Sequence, residues 1–282
     1  MTLDPRTQGP TGKPVAYAQA LDELTFEIEP ATESQLQSAF QPFLAALKDP
    51  KVSNPAEAVL VVTTLPQPFL LPELEAMATA PSPDRWDRKQ ALEGLARLRT
   101  PAAWQAILRI AKGEAAAAVS ASKAAGQGKD DSLRAYAVLL LAEKGDRAFL
   151  PALLAMVRTA PEGLRGDVLR ALGFFHDARA YQALFDKLHS ATPIDRMNAI
   201  LGLKNLGTRE SIPALLALLN DPEAQVRQVA DFALQSLTGQ KFGLSTKASR
   251  EESGRVAEQW RAWWREKGAT FTPPRSLACQ DW

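Results

Sequence analysis

Apolar and small residues return along this chain at a fixed interval, counted most easily from an arginine. Arg134, Arg165, Arg196 and Arg227 are spaced 31 residues apart. Three residues after each stand Ala137, Val168, Ala199 and Ala230, and seven after each stand Leu141, Leu172, Leu203 and Leu234. Within one unit Ala199, Gly202, Leu203 and Leu206 fall at i, i+3, i+4 and i+7, the spacing that puts side chains on one helical face. In the same register residues 150–154, 181–185 and 212–216 form a second apolar block, so each unit predicts two helices. Arg88, Ala91, Leu95 and Ile107 repeat the pattern at an offset of 46, which leaves 15 extra residues to one insertion within 112–130.

The punctuation agrees with the period. Gly145-Asp146 and Gly207-Thr208 offer a left-handed cap residue for one helix and an N-cap for the next, with His176 in the equivalent slot. Asp221-Pro222 reads as an N-cap followed by proline at the first helical position. A lone helical hairpin cannot bury both faces of its helices, so successive hairpins must stack. The fold expected is all-α, an α-solenoid over residues 84–240.

The ends depart from the period. Residues 33–48 predict a helix, and 66–80 a degenerate outer helix paired with the Arg88 helix, within degenerate N-terminal repeats over 31–83. Residues 56–64 suit either a buried helix or a short strand, and 25–29 alternate like a lone strand. Residues 1–30 are expected to be extended or disordered. The insertion is read as a surface loop whose first half can prolong a helix. In the C-terminal segment, 241–282, Val256, Trp260, Trp263 and Trp264 form one apolar stripe, expected to cap the stack.

The unit seen most clearly in SIPALLALLNDPEAQVRQVADFALQSL resembles HEAT repeats, with an outer helix bearing Pro213, a turn at Asp221 and an inner helix carrying Arg227. LTGQKFG followed by a WRAWW helix looks like the closing element of many bacterial HEAT-repeat proteins. The resemblance implies that the arginines Arg88, Arg134, Arg165, Arg196 and Arg227 form a structural ladder bonding to neighbouring turns. It also implies that the Arg-bearing helices line a concave side. Positions off their core stripe are then the candidate protein-binding residues: Tyr136, Leu139, Arg170, Phe174, Met197, Leu201, Val229 and Phe232. The sequence leaves open whether these are exposed or buried between adjacent helices.

Composition narrows the function. With 33 Lys and Arg against 32 Asp and Glu, no excess charge advertises nucleic acid as a partner. Cys279 is the single cysteine, and His176 and His189 are the only histidines, so neither a disulfide nor a metal site is expected. No apolar run is long enough to span a membrane, and the start carries no signal-like stretch. The compartment expected is therefore cytoplasmic by default, or exported if a leader has been removed. No phosphate-binding loop or nucleophile elbow occurs. Asp195 and Asp231 replace apolar siblings; the first turn of a helix suits Asp195, and Asp231 stands four residues after Arg227 for an ion pair. The reading is a non-catalytic scaffold without cofactors that binds another protein or peptide. The alternative is a HEAT-like enzyme, similar to DNA alkylpurine glycosylases or phycobilin lyases. A glycosylase would want a basic concave face, whereas Lys89, Glu93, Arg97, Asp167, Arg170 and Lys204 mix the two signs.

Overall fold

The computed structural model describes residues 32–49, 56–80, 88–114, 127–245 and 248–273. The expected strand at 25–29, the extended 1–30 segment, most of the insertion and Cys279 lie outside them. Among the described residues the fold is all-helical. The chain divides into two compact units, Met1–Ala125 and Gly126–Trp282.

In the first unit, α1 (Glu33–Lys48) opens with a reciprocal capping box between Thr32 and Gln35. The apolar run that left helix and strand open is helical, α2 (Ala56–Thr64). A short 3-10 turn, Pro68–Leu70, leads into α3 (Leu71–Thr79), followed by α4 (Arg88–Leu98) and α5 (Pro101–Lys112). Helix α4 packs on α2, α3 and α5 around Leu74, Leu92, Leu95 and Ile107, all sealed from solvent. Arg109 of α5 takes both carboxylate oxygens of Glu75 on α3, at 2.7 and 2.9 Å. Helix α5 does not run on into the insertion. Gly113, at φ 80°, donates back to the Arg109 and Ile110 carbonyls and ends the helix in a left-handed cap.

The second unit opens with α6 (Gln127–Lys144), so the part of the predicted loop from Gln127 onward is helix. Then come a 3-10 turn, Arg147–Phe149, and α7 (Leu150–Thr159), α8 (Glu162–Leu172), α9 (Ala178–Lys187), α10 (Pro193–Leu206), α11 (Ser211–Leu218), α12 (Ala224–Thr238) and α13 (Arg250–Lys267). The Arg-bearing helices α6, α8, α10 and α12 pack side by side in chain order, and α8, α10 and α12 are each paired with the helix that precedes them, α7, α9 and α11. This is the α-solenoid arrangement. The 31-residue period exists because each hairpin completes the interior of the next: Leu172, Leu203 and Leu234 occupy the same register and all are buried.

Glycine sets how close two of these helices come. A Cβ on Gly202 of α10 would lie 2.5 Å from the Leu169 carbonyl oxygen of α8, and one on Gly173 would lie 2.2 Å from the Gly202 carbonyl oxygen. The end of α8 and the middle of α10 therefore meet backbone to backbone.

One cap differs from expectation. Helix α12 starts at Ala224, three residues after Asp221, which accepts from the Glu223 N–H in a tight turn and turns its remaining acceptor capacity elsewhere.

Candidate functional site

The arginines divide their donors between two kinds of acceptor. One kind is a set of backbone carbonyls at the end of the preceding helix or in the turn just beyond it. Arg88 donates to Ala78 O, Arg165 to Ala160 O, Arg196 to Ser190 O and Ala191 O, and Arg227 to Asp221 O and Pro222 O. These carbonyls lack intrahelical partners, and a cation there also complements the helix dipole. The second kind lies further along the chain. Arg165 Nε donates to Asp195 at 2.9 Å, Arg196 grips both oxygens of Asp221, and Arg227 Nε donates to Ser253 at 3.2 Å at the start of α13. Arg134 donates to Asp131, three residues before it on the same helix, at 3.5 Å.

Asp195 is therefore more than a first-turn anion. It sits at the centre of a cluster, accepting from Arg165, Lys187 and Ser190. Burial pushes its carboxyl up, but the Arg165 hydrogen bond and charge, with Lys187 and Ser190, outweigh this and hold it below the usual carboxylate range.

Asp231 does not pair with Arg227. The Arg227 guanidinium extends back toward the turn at Asp221 and across to Ser253, away from its own helix's next turn. Asp231 instead accepts from the Trp260 indole N–H at 2.7 Å and from Gln235. Burial raises its carboxyl above the ordinary value, with the two hydrogen bonds opposing. Trp260 is wholly buried, edge-on to Phe242 at 4.7 Å between ring centroids, so LTGQKFG and the WRAWW helix close one end of the stack together. Trp263 and Trp264 stay half-buried, packed with Phe271, and Arg209 lies over the Trp264 ring while donating to Gly268 O.

His176 occupies the glycine slot in the glycine conformation. Its φ is 43°, beside 65° for Gly145 and 67° for Gly207, and Asp177 caps α9 as Asp146 caps the preceding turn. The residue is better described as a strained turn position than as a helix-terminal charge, because α8 already ends at Leu172.

The candidate binding positions fall in the second unit on the Arg-bearing helices, except Phe174, which lies in the turn after α8. Phe232 is 53% exposed and Leu139 40%. Tyr136, Arg170, Phe174, Met197, Leu201 and Val229 are half-buried. Leu139, Arg170, Leu201 and Phe232 share one register, five residues after the ladder arginine, on the four Arg-bearing helices α6, α8, α10 and α12. Ile194, 38% exposed at the start of α10, was not legible in advance, because its neighbour Pro193 marked it only as a helix start. Arg170 donates to Asn198 at 2.7 Å and pairs with Asp167 on its own helix. Lys204 places its ammonium over the Phe232 ring, 5.7 Å from the centroid. Lys89, Glu93 and Arg97 lie in the first unit.

Residues 195–221 match a family model described as PBS lyase HEAT-like repeat. That stretch is similar to a HEAT repeat, and the stacked helical hairpins of the second unit agree with a repeat of this kind. The matched stretch opens on Asp195 and closes on Asp221, the two carboxylates gripped by Arg165 and Arg196, and it spans α10 and α11. No curated protein matches the chain. The HEAT assignment shows a helical repeat protein and does not separate a scaffold from a lyase. No helix among the described residues is long and apolar enough to cross a membrane.

Proposed function

We propose that this HEAT-repeat chain is a non-catalytic scaffold whose second unit holds another protein or peptide along the row Leu139, Arg170, Leu201 and Phe232. The observation that supports this is exposure: Leu139 and Phe232, in one register, stand open to solvent, with half-buried Tyr136, Phe174, Met197, Leu201 and Val229 on the same set of repeats. Such a surface costs solubility unless something covers it. A row crossing parallel helices, whose axes in such packings lie roughly 8–10 Å apart, suits an extended segment or a helix lying across them.

The experiment is capture from the native source with the wild-type chain and with a Leu201→Glu, Phe232→Glu double variant, followed by binding of the purified partner to each. The scaffold reading requires the folded variant to lose the partner. Retention of the same partner at equal affinity rejects it.

The lyase reading draws on the resemblance and on the description of the matching family model. A covalently bound chromophore absorbing visible light, transferred to a second protein by the purified chain, would favour it over the scaffold.

A further inference from the structure

The exposed row is not uniformly greasy, and its charge points to the kind of segment that fits. Lys204 lies on α10, half-buried, three residues after Leu201, with its ammonium over the Phe232 ring of α12. No carboxylate among the described residues lies within ion-pair distance of that ammonium. Asp231, the carboxylate next to Phe232 in sequence, is buried and committed to Trp260 and Gln235. One helix away, Arg170 keeps a side chain 43% exposed. It pairs with Asp167 on its own helix, so its charge is already matched, whereas that of Lys204 is not.

We propose, resting on the scaffold reading, that the segment received here is acidic as well as apolar. It carries a large aliphatic or aromatic side chain that seats against Leu201 and Phe232, and an adjacent Asp or Glu whose carboxylate meets the Lys204 ammonium. Covering Phe232 strips water from the ammonium above it, and a bound segment without a carboxylate would leave that cation desolvated and unpaired. A segment with a carboxylate there compensates the loss, and electrostatic matching of this kind selects among partners of equal apolarity. A basic segment meets like charge and is rejected.

The test pans a displayed library of random peptides on the full chain, with Phe232→Ala as the face control; that side chain is more than half exposed, so its truncation leaves the fold intact. Recovered peptides are then titrated against wild type, Phe232→Ala and Lys204→Glu. Expected are peptides pairing a large apolar residue with a neighbouring Asp or Glu, weakened by Phe232→Ala. Exchanging that acid for Lys should weaken binding to wild type by roughly tenfold or more and restore it on Lys204→Glu, since like charges placed together are strongly disfavoured. Peptides that depend on Phe232 but ignore the charge exchange overturn the acidic partner while leaving the scaffold face standing. Peptides that bind Phe232→Ala as well as wild type, or no enrichment at all, overturn both.

Discussion

Arg196 and Asp221 meet in two parallel N–H···O bonds of 2.9 and 2.8 Å, with side chains 10% and 5% exposed. The third donor group of the guanidinium holds the Ser190 carbonyl, so one side chain fastens the end of α9, the start of α10 and the turn after α11. Removing one partner of such a pair leaves a buried charge without compensation. Arg196→Ala is expected to cost about 3–5 kcal/mol in urea unfolding, the range for a broken buried ion pair. A loss below about 1 kcal/mol, the range of exposed pairs, would show the ladder to be ornamental.

Asp195 makes the stack sensitive to acid. Its carboxyl is held below the usual value in the folded chain, so the unfolded chain binds the proton more readily. The stability it contributes is present above the unfolded value near 4 and drains away as pH falls through the folded value. Denaturant unfolding followed from neutral to strongly acidic pH should therefore show a shallower decline in Asp195→Asn than in wild type. Parallel curves for the two would contradict the assignment.

Asp231 carries the opposite sign. Burial lifts its carboxyl, so the folded chain is favoured by protonation and that advantage is lost as pH rises through the folded value. At neutral pH Asp231→Asn keeps an acceptor for the Trp260 N–H and sheds the buried charge, so it should unfold no more easily than wild type. Asp231→Ala orphans a buried indole N–H and should cost about 1–3 kcal/mol. Equal destabilisation by both substitutions would mean that the charge itself, rather than the acceptor, holds the cap.

His176→Gly is expected to raise the melting temperature. A left-handed backbone costs a side-chain-bearing residue about 1 kcal/mol or more, part of which the greater freedom of glycine in the unfolded chain returns. The contact that Arg147 makes is with the His176 carbonyl, which the substitution keeps. The reciprocal change, Gly207→His, should lower the melting temperature, and a null result for both would remove the strain argument.

The helices were legible because the same apolar positions recur at one interval, and the span expected for α1, residues 33–48, is the span it has. The long-range partners were not. Arg165 finds its carboxylate 30 residues on, Arg196 finds one 25 on, and Arg227 meets a hydroxyl 26 on, so no constant offset announces any of them. Asp231 stood at ion-pair spacing from Arg227, and only the packing of α13 reveals that an indole claims it first. Exposure of Leu139 and Phe232 was equally hidden, since a helical register places a residue at the margin of a core without saying how far the neighbouring helix reaches over it.

Those unequal offsets make neighbouring modules of the second unit non-interchangeable. Transposing the α8–α9 repeat with the α10–α11 repeat would leave the apolar spacing intact, yet would part Arg165 from Asp195, the carboxylate that suits it. The sequential arrangement of the hairpins is thus encoded by which arginine matches which acceptor, a lock-and-ward specificity laid over a core that by itself would tolerate reshuffling.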